Sequence, residues 1–298
     1  MKSKKHAYLI IAHDKRHQLE QLLGLLDDER NDIYLLVDSK GTIGTEGLTV
    51  TKSALHIIPP MQINWAGYTF MEAILRLVKA AACAEEYHYY HLLSGVDLPL
   101  VNQTVIHDFL EDSDLEYIDF EPENKLFAHF KVGYYHYFVD TKLYRKYLGV
   151  RILGHALVKL QAILGVDRTR NPKLDLYHGS NWFSITHEFA RYVLQQEAMI
   201  KNVYHLTLSA NEVYLQTMIM DSAFKDKLYD CGSGKKQNLR LIDWKRRNKN
   251  SPYTFRITDL DELKQSSECA FFARKFDENL DGEIINAIVN RLKANNCL

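Results

Sequence analysis

The sequence predicts an α/β protein, a mixed and largely parallel sheet flanked by helices, and three observations predict it. Residues 8–12 (YLIIA) and 33–37 (IYLLV) are short apolar runs suited to strands buried on both faces. Between them Leu19, Leu22, Leu23 and Leu26 recur at helical spacing, which makes a strand-helix-strand unit with an expected right-handed crossover. The composition is that of an ordinary globular chain: 298 residues, 46% hydrophobic and 25% charged, enough for a sizeable core in one large domain or two intimate ones.

Composition also excludes several classes of partner. The net charge of -1 supplies no global field for nucleic acid or an anionic membrane, so an anionic ligand must be met by a local cluster of cations. Cys83, Cys231, Cys269 and Cys297 are scattered without a CxxC, which argues against a zinc site and for reduced thiols. The basic start of the chain resembles a signal peptide, but its apolar stretch, residues 7–12, is short and is interrupted at His13-Asp14-Lys15-Arg16. No window approaches the roughly 20 apolar residues of a membrane span. A cytoplasmic location is expected, with room for peripheral attachment to the cytoplasmic membrane.

In chain order, the two opening strands end at His13 and Asp38, where ligands bind in parallel sheets. Neither GxGxxG nor GxxxxGK[ST] follows the first strand, which argues against a dinucleotide fold and against a P-loop. Asp38 has two readings, a ribose or base contact and a turn-initiating aspartate. Residues 41–51 form a flexible loop and 55–58 a third strand. The turn Asn64-Trp65-Ala66-Gly67-Tyr68 then opens a helix over 70–82, and Trp65 is either a stacking face or a packing residue.

A strand over 87–93 runs into Ser94-Gly95-Val96-Asp97-Leu98-Pro99-Leu100. Metal-dependent sugar transferases carry an Asp-x-Asp here to hold a divalent cation, whereas this chain has Asp97 alone with Pro99 two positions on. The pairs Asp112/Asp114 and Asp259/Asp261 lie in polar stretches and are not expected to bind metal. Residues 117–121 predict a strand, 130–138 (FKVGYYHYF) an aromatic-rich strand or loop, 153–164 a helix and 168–173 a polar linker. The aromatics of 130–138, alternating with Lys131 and His136, suit either a carbohydrate groove or a half-exposed sheet face.

Residues 177–219 hold the densest set of signals. His178-Gly179-Ser180-Asn181 is a small-residue turn running into Trp182, Phe183 and a strand, a suitable pocket floor for a sugar ring or base. One helix follows over 187–196, and Ser209-Ala210-Asn211-Glu212 precedes a second. Glu212 there is either a capping-box carboxylate or a functional one. The C-terminal third brings Leu241-Ile242-Asp243-Trp244, the basic run Lys245-Arg246-Arg247 that suits a solvated face, Arg256 in a β-like segment, and Phe272-Ala273-Arg274-Lys275-Phe276-Asp277. Arg256 and Lys275, each set among apolar residues, are candidates to grip a diphosphate in place of a metal.

Ile11-Ala12-His13, Leu36-Val37-Asp38, Trp65-Ala66-Gly67, the 93–100 segment, Gly179-Ser180-Asn181-Trp182-Phe183, Asn211-Glu212, Ile242-Asp243-Trp244 and the 272–277 segment occur in order across residues 7–277. This series resembles the core-2/I-branching β-1,6-N-acetylglucosaminyltransferase family, which includes the peptide O-xylosyltransferases. The resemblance implies a single GT-A domain over 1–298, with a nucleotide-sugar half over about 1–110 and an acceptor and catalytic half over about 111–298. It further implies an inverting reaction with a UDP-sugar donor, no metal and no other cofactor. By motif, Glu212 matches the general base and Arg256 with Lys275 the diphosphate-binding pair. His13, Asp38, Trp65 and Asp97 fall at the donor nucleotide and Trp244 at the acceptor, while Trp182, from its turn, is the expected substrate-stacking face. N-acetylglucosamine is the first expectation for the sugar and xylose the alternative. The expected acceptor is a glycan or lipid-linked oligosaccharide, and a non-catalytic carbohydrate- or nucleotide-binding protein on the same fold is the reading from another class. A compact, bacterial-type member without the Golgi anchor, stem and disulfides of the animal enzymes is expected.

Overall fold

A computed structural model of the chain describes residues 4–121, 124–170, 173–230, 237–246 and 251–294. The opening unit is β1 (His6–Ala12), α1 (Arg16–Leu26) and β2 (Asn31–Asp38), followed by β3 (Ala54–Met61), α2 (Tyr68–Ala84) and β4 (Tyr89–Ser94). These four strands are parallel, in the order β3-β2-β1-β4. Strand alternation explains why the first two runs carry no polar face. Ala7, Leu9, Ile11, Tyr34 and Leu36 enter one core with α2, while Tyr8, Ile10, Ala12, Ile33, Leu35 and Val37 enter the other with α1. β3 is the edge, and Pro59 and Pro60 fall where its register against β2 shifts, between Leu36 and Asp38. An edge tolerates prolines there because their missing N–H groups break no central ladder.

The chain continues through β5 (Asp97–Pro99), α3 (Gln103–Leu110), β6 (Tyr117–Ile118), α4 (Lys125–Val132), α5 (Lys142–Lys146), α6 (Leu148–Ile163), β7 (Phe183–Thr186), α7 (His187–Gln195), α8 (Glu197–Tyr204) and α9 (Tyr214–Met220). It ends with β8 (Arg240–Ile242), α10 (Leu260–Ser266), β9 (Phe272–Arg274) and α11 (Gly282–Ala294). β7 pairs antiparallel with β4 and β6 antiparallel with β7, giving a six-stranded mixed sheet, β3-β2-β1-β4-β7-β6. A small second sheet, β5-β9-β8, stands beside it. This mixed sheet between helices is the architecture expected of a GT-A-like fold.

Two local expectations need correction. Of residues 130–138, expected as a strand or loop, 130–132 close α4, where Ala128, Lys131 and Val132 form the inward stripe, and 133–138 are irregular. A further helix not read from the sequence, α8, follows α7 and buries Ile200, Val203 and Tyr204. The strand expected over 117–121 is confined to Tyr117–Ile118.

Glu116 is fully buried beside β7, where its carboxylate accepts from the Thr186 N–H (2.9 Å) and hydroxyl (2.6 Å). Burial pushes this carboxyl up to about 7 against the opposing effect of the Thr186 bonds. A raised folded-state value means that folding takes up a proton. The contribution to stability, at most about 3 kcal/mol, is complete below the ordinary glutamate value and is lost as pH rises through about 7. The buried imidazoles of His6, His91 and His107, held low chiefly by burial, act in the opposite sense and lose stability as pH falls below their ordinary value. Glu116→Gln is therefore expected to flatten the decline of melting temperature between pH 5 and 8 and to leave the acid-side decline in place.

Candidate active site

A cavity of about 540 Å³ lies beyond the carboxyl ends of β1, β2 and β4. That volume is in the range of small-molecule and cofactor sites. His13 and Asp38, at the two strand ends, are in its wall with Trp65, Ser94, Gly95, Trp182 and Arg274, and α5 contributes Lys142, Tyr144, Arg145 and Lys146. Trp65 is 58% exposed, so its ring faces the cavity and does not pack in the core. The turn that holds it is tied down by Asp140, which accepts from the Thr69 hydroxyl (2.6 Å), the Thr69 N–H (3.2 Å) and the Asn64 amide (3.1 Å). Gly67 makes this possible, since a Cβ there would stand 2.2 Å from the Asp140 carboxylate. Asp38 fulfils its turn-forming reading as well as lining the cavity: Oδ1 accepts from the N–H groups of Lys40 (3.0 Å) and Ile63 (3.2 Å).

Arg274 enters the cavity from the small sheet. It stands opposite Asp97 in the β5–β9 pair, donates to Asp97 Oδ1 at 2.7 Å and to the Ser94 hydroxyl, and lies 4.5 Å from the Trp182 ring centroid. Asp97 also accepts from the Ser94 N–H and hydroxyl, each at 2.8 Å. Its carboxylate is thus buried and occupied by protein donors, and its place is behind Arg274 and outside the cavity wall.

Glu212 belongs to a neighbouring group of charges. It sits in a single 3-10 turn, Ala210–Glu212, whose preceding Ser209 has left-handed backbone and makes no side-chain cap, so the capping-box alternative is not realised. Its carboxylate instead accepts from the Lys131 ammonium and lies 3.5 Å from His178 Nε2. The Lys131 side chain is 2% exposed; its Nζ is 2.8 Å from His178 Nε2, and His178 Nδ1 is 3.2 Å from a Glu121 carboxylate oxygen. Burial acts to raise the Glu212 carboxyl, but the His178 hydrogen bond and the Lys131 charge outweigh it and hold the group below its ordinary value. For His178 burial acts downward, and the two carboxylates, Glu121 and Glu212, outweigh it and raise the imidazole. Backbone bonds carry this turn to the rest of the site: Gly179 N–H to Glu212 O at 3.0 Å, and Ser209 N–H to Ala66 O at 2.7 Å, next to Trp65. A Cβ on Gly179 would meet the Asp119 carbonyl oxygen at 2.1 Å, so only glycine admits this approach.

The structure therefore gathers His13, Asp38, Trp65 and Trp182 around one cavity and puts Glu212 on the turn bonded to its Trp65 wall. Arg256 and Lys275 stand on adjoining segments, since the Phe255 N–H donates to Lys275 O at 3.0 Å, but neither is in the cavity wall. Arg256 is exposed; Lys275 is half-buried, and burial with the Arg274 charge lowers its pKa. Trp244, 47% exposed, also lies outside that wall. Of the basic run, Lys245 is solvated, Arg246 is held by Asp243, Asp259 and Glu262, and Arg247 lies outside the described residues, as do Cys231 and Cys297. Arg274, Asp140, Lys40 and the α5 cations were not selected from the sequence. Strand alternation could have found Arg274, because it shares a face with Phe272, two residues before it.

Curated relatives match nearly the whole chain. Xylosyltransferase 2 from Rattus norvegicus is 24% identical over 308 residues, covering 95% of this chain and 33% of the relative. Xylosyltransferase 2 from Homo sapiens is 24% identical over 314 residues with the same coverage. A xylosyltransferase from Ciona intestinalis is 22% identical over 305 residues, covering 94% and 33%. The chain thus spans about a third of the length of these relatives. The family model described as Core-2/I-Branching enzyme matches residues 6–265, which takes in the sheet, the cavity's strand ends and the Glu212 turn. On that match, the chain belongs to the Core-2/I-branching enzyme family of glycosyltransferases.

Proposed function

We propose that this chain transfers a sugar from a UDP-sugar to a hydroxyl of a glycan acceptor by a single displacement that inverts the anomeric centre. The observation that carries the reading is the cavity beyond the parallel strand ends, with an exposed tryptophan face, an aspartate at the second strand end and a fixed arginine, adjoining a turn that bears a glutamate. Glu212 takes the proton of the attacking hydroxyl, and cations stabilise the charge that develops on UDP as it leaves. Arg274, Lys40 and the α5 basic residues in the cavity wall support metal-independent stabilisation, with Lys275 and Arg256 on the flanking segments. No second carboxylate is needed as a nucleophile, unlike a retaining glycosidase. N-acetylglucosamine is the donor sugar expected from the sequence resemblance, and the names of the relatives favour xylose.

UDP at about 100-fold over its Kd is expected to raise the melting temperature by roughly 5 °C. UDP release is then expected with one of the two UDP-sugars, undiminished in EDTA. The absence of any shift with UDP would discard the donor assignment, and a strict requirement for manganese would discard stabilisation by side chains alone.

The Glu212 environment predicts a pH dependence. The Lys131 charge helps to hold the Glu212 carboxyl low, so the base is ionised through neutral pH and activity is lost only on acidification. Lys131→Met is expected to move the acidic limb of the kcat/KM profile upward in pH. An unmoved limb would show that a group other than Glu212 governs it.

A further inference from the structure

The segment that walls one side of the cavity leaves apolar surface uncovered. α6 buries only Val158, while Leu148, Ile152 and Ile163 are 62%, 60% and 82% exposed and, with Ala156 and Leu160, form one continuous row at helical spacing. Residues 141–166 carry Lys142, Arg145, Lys146, Arg151 and Lys159 and not one Asp or Glu, in a chain whose net charge is -1. Arg151 and Lys159, with His155 between them, run at four-residue intervals along the flank of the apolar row. Beside the end of α6 the exposed rings of Tyr135 and Tyr137 stack at 5.6 Å and 11°. They are fixed to the helix by Tyr135 N–H to Gln161 Oε1 (2.8 Å) and Gln161 Nε2 to Tyr135 O (2.9 Å).

We propose that the α5–α6 face lies on an anionic lipid surface. The apolar row enters the boundary between headgroups and acyl chains, Arg151 and Lys159 meet lipid phosphates, and the tyrosine pair sits at headgroup depth. An exposed apolar row beside a single sign of charge is the pattern of a helix lying in the membrane plane. No helix among the described residues is long and apolar enough to cross a membrane. A second copy of the chain fits this face poorly, because two-fold pairing would bring two basic patches without acidic residues face to face. α5 lies in the cavity wall and only Tyr147 separates it from α6, so docking would bring that wall of the cavity near the bilayer. The binding does not depend on the catalytic assignment.

Co-sedimentation with vesicles tests it. The protein is expected to bind vesicles of phosphatidylcholine mixed with phosphatidylglycerol, to bind phosphatidylcholine alone at least about tenfold more weakly, and to be released by salt. Ile152→Glu with Ile163→Glu should weaken binding about tenfold or more, and Arg151→Glu with Lys159→Glu should remove the preference for the anionic lipid. All four positions are exposed, so melting temperature and the response to UDP should be unchanged. No binding to anionic vesicles, or binding that both double variants retain, would overturn the proposal. So would light scattering that shows a dimer broken by Ile152→Glu.

Discussion

Glu212→Gln is expected to lower turnover by roughly 100-fold to 10,000-fold and to leave UDP affinity within about twofold of the parent. The substitution keeps the shape of the side chain and an oxygen that can accept from Lys131, but removes the charge that can take a proton. The bonds that tie the turn to the cavity, from Gly179 to the Glu212 carbonyl oxygen and from Ser209 to Ala66, are backbone bonds and persist. One effect on stability is expected, because the Lys131 ammonium is buried and loses a counter-charge. Melting temperature and UDP binding, measured on the same preparation, separate that effect from chemistry. Turnover within tenfold of the parent would take Glu212 out of the reaction.

The fold was legible because its main sheet obeys simple periodicity. Residues 8–12 and 33–37 are apolar without alternation because both faces of β1 and β2 are covered, and the leucines of α1 recur every three or four positions because only one face is. The middle section was less legible for a physical reason. In α4 an inward position carries Lys131, whose charge is satisfied by Glu212, so the apolar stripe is broken where the site is built. The same exception hid the site: a buried lysine looks like a surface residue until its partner, 81 positions away, is known.

Asp97 and Arg274 make the complementary case. Asp97 stands at a strand end where acidic ligands to metal occur in related architectures, and its neighbours along the chain do not show that a cation is paired to it across two short strands. The 93–100 and 272–277 segments both stand out in the sequence, but their antiparallel register, which sets residue 97 against 274, is a tertiary fact. The neighbouring Lys275 stands out because apolar residues flank it. Position along a strand decides which of two adjacent cations faces a given side, and here it turns Arg274 to the cavity.

Arg274→Met is accordingly expected to lower kcat/KM by about 100-fold to 1,000-fold and to weaken UDP binding. The guanidinium is held before any ligand arrives, by Asp97 at 2.7 Å, by the Ser94 hydroxyl and by the Trp182 face at 4.5 Å. Charge fixed in advance stabilises a developing diphosphate without reorganisation, which is why its loss should fall on the rate as well as on binding. Arg274→Lys keeps the charge but cannot reach Asp97, Ser94 and a phosphate together, so it should recover stability more than rate. Asp97→Asn, which leaves the arginine in place but loosens it, should cost less than Arg274→Met and act on kcat more than on UDP affinity. Lys275→Met, which removes an adjacent cation of equal charge from outside the cavity wall, should cost less than Arg274→Met. If Lys275→Met carried the large loss and Arg274→Met were nearly silent, the diphosphate would lie against Lys275, and Arg274 would serve only to neutralise Asp97.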